Sequence, residues 1–165
     1  AGGTTDMAVI ELAEIAKFLK PTSRLMGLDL GSKTIGLALS DVTLMIASPL
    51  GTIKRAKFTR DAEALEALID EHDVGGFVLG LPISMDGSEG PRCQSTRQFA
   101  TNLLERGDTP LAFWDERLST VAVERILIDE IDMTRKRRAE VVDKAAATYI
   151  LQGALDALSS LFSEP

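Results

Sequence analysis

The chain has one cysteine, one histidine, one tryptophan and one tyrosine in 165 residues. Cys93 has no partner for an internal disulfide, which favours a reducing compartment and gives no support to a dimer linked through it. His72 and Cys93 together cannot assemble a His/Cys zinc site; His72, at a helix end among charged neighbours, reads as a solvated or capping group. Aromatic residues make up 5% of the chain, too few for extensive base stacking, and Trp114 is assigned to the core. No apolar run approaches the ~20 residues that span a bilayer, and neither an internal repeat nor a low-complexity linker is present. Cations are in deficit too: 18 Lys and Arg face 25 Asp and Glu, a formal net charge of −7. That balance predicts weak, salt-sensitive non-specific binding to nucleic acid. The cations are unevenly spread, however, with Lys54, Arg55, Lys57 and Arg60 close together and Arg135, Lys136, Arg137 and Arg138 adjacent.

What remains is an ordinary globular composition, 45% hydrophobic and 26% charged, at a length that suits one domain. Thr5 to Lys20 has helical periodicity through Met7, Ile10, Leu12, Ile15 and Phe18, and Pro21 is expected to end it. Residues 1–22 are therefore expected to be a helical appendage on a domain of residues 23–165. The chain opens on Ala1-Gly2-Gly3 with no hydrophobic signal core. A cytoplasmic protein is expected, or an organellar one, in stroma or matrix, if a transit segment preceded Ala1.

Leu25 to Leu30 predicts a buried strand, Gly31-Ser32-Lys33 a turn, and Ile35 to Ser40 a returning strand. Met45 to Ile53 follows as an edge strand that tolerates Pro49. A helix is expected from Arg60 to Glu71, a strand at Phe77 to Leu81, a polar loop from Pro82 to Pro91 and a helix to Arg106. A strand at Leu111 to Trp114 and helices from about Ser119 and Glu140 complete the order. This is an α/β pattern: a five-stranded mixed sheet, an antiparallel meander joined to a βαβαβ half, flanked by helices.

Three acids stand out within this frame. Asp29 interrupts the apolar run Met26-Gly27-Leu28-Asp29-Leu30-Gly31, and a buried carboxylate needs a partner or a metal; the alternative is an Asp that caps its own turn. Asp115-Glu116-Arg117 follows the last strand, at the edge where α/β sheets gather ligands. Strand alternation sends Asp115 and Glu116 to opposite sides, so one of the two is expected to face Asp29. Asp143 lies beside the apolar stripe of the last helix, where Ala145-Ala146-Ala147 permits a close approach to the sheet. Taken singly, these acids also suit helix N-termini. Together they could hold Mg²⁺, or Mn²⁺, on carboxylate oxygens without any His or Cys, and two such ions can activate water and stabilise the leaving oxygen of a phosphodiester.

Phosphate contacts are expected nearby. Gly80-Leu81-Pro82 and Ile83-Ser84-Met85-Asp86-Gly87-Ser88-Glu89-Gly90 lead into a helix N-terminus, offering free N–H donors, hydroxyls from Ser84 and Ser88, and charge from Arg92 and Arg97. Lys33, Arg117 and the cluster Arg135, Lys136, Arg137 and Arg138 are further backbone-contact candidates, the cluster lying by this reading on a loop.

The segment Leu28-Asp29-Leu30-Gly31-Ser32-Lys33-Thr34-Ile35-Gly36-Leu37-Ala38 resembles the first motif of the YqgF/RuvX family. Gly80-Leu81-Pro82 with Met85-Asp86-Gly87-Ser88-Glu89-Gly90 resembles the second, Asp115-Glu116-Arg117-Leu118-Ser119-Thr120 the third, and Val142-Asp143-Lys144-Ala145-Ala146-Ala147 the fourth. The match runs in order from about Arg24 to Leu158. It implies an RNase H-like fold related to Holliday-junction resolvases, and a role in maturing the 5′ end of precursor 16S ribosomal RNA. It implies Asp29, Glu116 and Asp143 as catalytic, metal-binding acids. True junction resolvases have an acid on the fourth strand, where this chain has Gly80-Leu81-Pro82, and commonly a further acid on the last helix, where Ala146 follows Asp143. The expected partner is structured RNA or branched DNA, with no membrane, and the protein a monomer or homodimer. Two other readings stand beside this one: a non-catalytic ribosome-assembly or nucleic-acid-binding module, and an ATP-binding phosphotransferase, which would need a second domain.

Overall fold

The computed structural model describes residues 11–118 and 135–163, and for 135–144 and 162–163 the course of the backbone only. The apolar runs form one five-stranded sheet: β1 (Arg24–Leu30), β2 (Thr34–Ser40), β3 (Ala47–Lys54), β4 (Val74–Leu81) and β5 (Leu111–Asp115). Their order is β3-β2-β1-β4-β5. The first three strands pair antiparallel, and β1, β4 and β5 pair parallel. The helices are α1 (Leu12–Ile15), continued by a 3₁₀ turn Ala16–Phe18, then α2 (Phe58–His72), α3 (Pro91–Arg106) and α4 (Arg135–Ser163). The mixed sheet and meander expected from the sequence are present, with helices on both faces of the sheet. No described helix is long and apolar enough to cross a membrane.

β1 is central, and both its faces are covered. Met26, Leu28 and Leu30 join Ala62 and Leu65 of α2 and Phe99, Ala100 and Leu103 of α3 in one core. Leu25, with Ala38, Val78 and Ala112 of the neighbouring strands, packs on Ala146, Ala147, Ile150, Leu151 and Ala154 of α4. Two-sided burial explains why the strand shows no outward polar alternation. The helix reaches the sheet because Gly27 has no side chain: a Cβ there would lie 2.8 Å from Leu151 Cβ and 2.9 Å from the Ala147 carbonyl oxygen.

Several boundaries differ from the sequence expectation, each for a local reason. β3 begins at Ala47 rather than Met45, because the Asp41 carboxylate accepts the Thr43 hydroxyl and the N–H groups of Met45 and Ile46 and draws both residues into the turn. The Thr43 bond and then the Ile46 N–H hold the Asp41 carboxyl at about 2. Pro49 sits on the edge strand, as expected, at a bulge where the ladder passes from Gly51 to Pro49. β4 begins at Val74 despite Gly75-Gly76, because these glycines make room for the N-terminal segment: a Cβ on Gly75 would meet Leu19 at 2.6 Å and one on Gly76 would meet Ile15 at 3.0 Å. The part of the expected Thr5 to Lys20 helix before Glu11 lies outside the described residues; at its other end Leu19 leaves the helix extended, ahead of Pro21, to lie over Gly75. α4 begins at Arg135 rather than near Glu140, so Arg135, Lys136, Arg137 and Arg138 stand in its first turn and not on a loop; their side chains lie outside the description. The helix expected from Ser119 also falls outside the described residues.

Because the atoms facing Gly27 are a Cβ and a backbone carbonyl, neither can swing aside. Gly27→Ala should destabilise the fold by about 1–3 kcal/mol, read as a lower urea midpoint at unchanged slope.

Candidate active site

Asp29 is the only charged residue of β1 beyond its first position, and it is 1% exposed. Alternation along β1 puts it on the face of Leu25 and Gly27, the face covered by α4. Across the parallel ladder Leu28 pairs with Leu79, so Gly80 lies beside Asp29, and Gly80 in turn pairs with Trp114 of β5. A Cβ on Gly80 would come within 3.2 Å of Glu116 Oε2 and 2.3 Å of Ile150 Cδ1. The Glu116 carboxylate therefore lies over the bare backbone of β4, on the α4 face, and Glu116 is 9% exposed.

This answers the ambiguity of the acidic pair. Phe113 packs with the α2–α3 core and Trp114 against the α4 core, so Asp115 points away from α4 and Glu116, opening a 3₁₀ turn, points back. Asp115 is bound to its neighbour: it accepts the Arg117 N–H at 2.9 Å and the guanidinium at 2.7–3.1 Å. The Arg117 hydrogen bonds hold its carboxyl below the usual range. Asp143 lies in α4 one turn before Ala147, whose carbonyl abuts Gly27; its side chain is outside the described residues. Among the described residues no three His, Cys, Asp or Glu side chains gather at one point. The described donor set is two buried carboxylates on one face, oxygen donors of the kind that suit a hard divalent cation.

The β4–α3 loop is folded on itself. Ser84 N–H donates to the Ser88 carbonyl and Gly87 N–H to the Ser84 carbonyl, with Gly87 at φ +89°. The Ser88 N–H and hydroxyl both donate to Asp86, at 2.9 and 2.6 Å, and these bonds lower the Asp86 pKa. Arg117 Nη1 lies 3.8 Å from where a Cβ on Gly87 would be, so its side chain spans from the end of β5 to this loop. Arg97 grips Glu89 through two nitrogens, at 2.6 and 2.8 Å, with its guanidinium 5.1 Å above the Phe113 ring. Ser88 and Arg97 are thus each engaged within the protein.

Arg92, in the first turn of α3, reaches Asp29. Its Nη2 donates to the Leu30 carbonyl at 3.2 Å and lies 3.8 Å from Asp29 Oδ1. Arg55, which the sequence presents only as part of a basic cluster, donates from Nη1 to the Gly31 carbonyl at 2.7 Å and from its N–H to the Lys33 carbonyl at 2.8 Å. The hairpin register, Thr34 opposite Lys54, is the signal that would have placed it there. Lys33 itself is exposed. Cys93 is fully buried and donates to Glu89. Burial, then that carboxylate, pushes its thiol up to about 11, so it is closed to linking two copies. His72 is half-buried at the far end of α2, beside Glu71. Trp114 packs on Gly153.

Similarity to known proteins agrees with this arrangement. A family model described as RuvX, Holliday junction resolvase, matches residues 23–157. A Phenylobacterium zucineum protein provisionally named pre-16S rRNA nuclease is 59% identical over 156 residues, covering 94% of this chain and all of that protein. One of the same provisional name from Paramagnetospirillum magneticum is 63% identical over 150 residues, covering 91% of this chain and 96% of that protein. Among solved structures, T. thermophilus RuvC in complex with Holliday junction substrate superposes with a TM-score of 0.50 at 10% identity, over 86% of this chain and 96% of that one. At that identity the likeness speaks for the RNase H-like fold alone.

Gly80 has no side chain of its own, and the space above it is taken by Ile150 and Glu116. Gly80→Ala should destabilise by about 1–2 kcal/mol, less than Gly27→Ala, because the Ile150 Cδ1 end can turn aside. Ile150→Val, which removes that atom, should recover part of the loss, and a double-mutant cycle of urea midpoints measures the coupling.

Proposed function

The chain belongs to the RuvX family, and on that premise we propose that it is a divalent-metal-dependent nuclease that matures the 5′ end of precursor 16S ribosomal RNA in the cytoplasm, with Asp29, Glu116 and Asp143 as its catalytic, metal-binding acids. The observation that carries this reading is the shared face of Asp29 and Glu116 at one end of the sheet, with the bare backbone of Gly80 between them. Two carboxylates in a largely water-excluded place, with no imidazole or thiolate beside them, favour Mg²⁺ or Mn²⁺ over zinc. When bound, the metal would supply an activated water and charge for the leaving oxygen.

The rest is work for side chains. Asp29 on β1 and Glu116 in the turn after β5 would hold the cation, with Asp143 of α4 as the third acid. Arg92, anchored on the Leu30 carbonyl, keeps a positive charge beside Asp29 and meets the phosphate that arrives there. Arg117, tied down by Asp115, fixes the β4–α3 loop, whose exposed Ser84 contacts the incoming backbone while Ser88, donating to Asp86, holds the loop in shape. Lys33 and the first turn of α4, Arg135 to Arg138, add cations along the same substrate, and Arg97 steadies α3 beneath it. Hydrolysis breaks one P–O bond: the water oxygen becomes the new phosphate oxygen, and the departing ribose oxygen leaves with a proton that the water gives up.

Asp29→Asn and Glu116→Gln should each cost several kcal/mol of transition-state stabilisation, about 10³-fold in rate, in a cleavage assay on precursor ribosomal RNA with Mg²⁺ or Mn²⁺. Chelation by EDTA should stop the wild type. Asp115→Asn, on the other face, should cut within roughly tenfold of wild type. A four-way DNA junction run in parallel decides the substrate class. Normal cutting by Asp29→Asn would show the site to be misassigned, and junction cutting without RNA cutting would reverse the substrate.

A further inference from the structure

We propose that the corner between β3 and α2 is a second contact surface for the RNA, a cationic track that grips the phosphodiester backbone to one side of the cut. The proposal rests on the nuclease reading, and its charge argument is independent of the catalytic acids.

The track lies at the catalytic end of the sheet. Lys54, the last residue of β3, pairs with Thr34 at the start of β2, and Asp29 pairs with Gly36. The corner is therefore two strand spacings from β1, ~10 Å. Arg55 joins the two places physically: it donates to the Gly31 carbonyl, just past Asp29, and lies 5.9 Å from the Phe99 ring. Between Arg55 and α2 runs an open cleft of about 440 Å³ bordered by Lys54, Arg55 and Arg60, with Ile53 and Ala64 in its wall.

The charge there is on offer. Lys33, Lys54, Lys57 and Arg60 are exposed, and none of them pairs with a carboxylate among the described residues. Arg97, Arg106 and Arg117 are instead held by Glu89, Glu66 and Asp115. One acid, Asp61, also lines the cleft, but it is 3% exposed and its carboxylate accepts the Ala56 N–H at 3.0 Å, which stiffens the corner. In a chain of net charge −7, cations left unneutralised in one place are those that release counterions from a polyanion. The corner offers no exposed ring for stacking, since Phe58 is half-buried edge-on against Phe99. The contact is therefore to the backbone and blind to sequence.

The test compares two variants of equal charge in the Asp29→Asn background, so that RNA stays intact: Lys54→Gln/Lys57→Gln at the corner, and Lys17→Gln/Lys20→Gln at the opposite end. Affinity for a labelled single-stranded RNA spanning the precursor 5′ cut is measured in Mg²⁺ across a potassium chloride series. The corner pair should flatten the slope of log affinity against log salt by about 1.4, at ~0.7 per phosphate contact, while the control pair leaves it within a few tenths. Equal slopes for both variants, equal losses in both, or an absence of RNA binding by the parent protein would overturn the track. Cleavage by Asp29→Asn measured separately tests the catalytic reading, so a nuclease without the track and a track without the nuclease give different results.

Discussion

The close approach of α4 to β1 governs the molecule. A helix can lie this near a strand only where the strand offers no side chain, and Gly27 provides that place, with Leu151 Cβ and the Ala147 carbonyl filling the space a Cβ would need. Gly80 and Gly153 extend the arrangement, receiving Ile150 and the Trp114 ring. The small residues of α4, Ala146, Ala147 and Ala154, belong to the same contact. Dense packing of this kind leaves little tolerance for an added methyl group, and it sets how far a carboxylate borne on α4 stands from one borne on β1.

The electrostatics follow from that packing. A carboxylate 1% exposed costs free energy unless its surroundings return it, and Asp29 has a guanidinium at 3.8 Å. Around this centre the protein sorts its cations. Some are spent on structure: Arg97 on Glu89, Arg117 on Asp115, Arg55 on a carbonyl. Others remain at the rim. The net charge of −7 is therefore a poor guide to the catalytic end, where the local balance differs from the sum.

Much of the fold was legible because it rests on patterns that sequence displays directly. Continuous apolar runs marked the buried strands, and the one acid inside such a run marked Asp29. Strand alternation left the choice between Asp115 and Glu116 open, and the family resemblance alone pointed to Glu116, because the choice depends on where β5 ends and which core each neighbour enters, a matter of tertiary packing. Arg55 was hidden for a similar reason: its partner is a carbonyl across a hairpin, invisible to composition. The roles of Gly75 and Gly80 escaped notice because a glycine in a strand looks like a weakness until the neighbour occupying its space is known. The N-terminal helix was expected to run on to Lys20 because Pro21 is the stop signal the sequence displays, whereas Leu19 is drawn out over Gly75 ahead of it.

The two faces of the sheet also differ in how the chain reaches them. α2 and α3 connect successive strands and close their face through short loops. α4 follows every strand, and its deepest contact joins Leu151 to Gly27, residues far apart in sequence. Closing so long a loop is the entropically most demanding step and is repaid only when packing is complete. That same long-range contact covers the carboxylate face, so it is the packing of the final helix that takes Asp29 and Glu116 out of water.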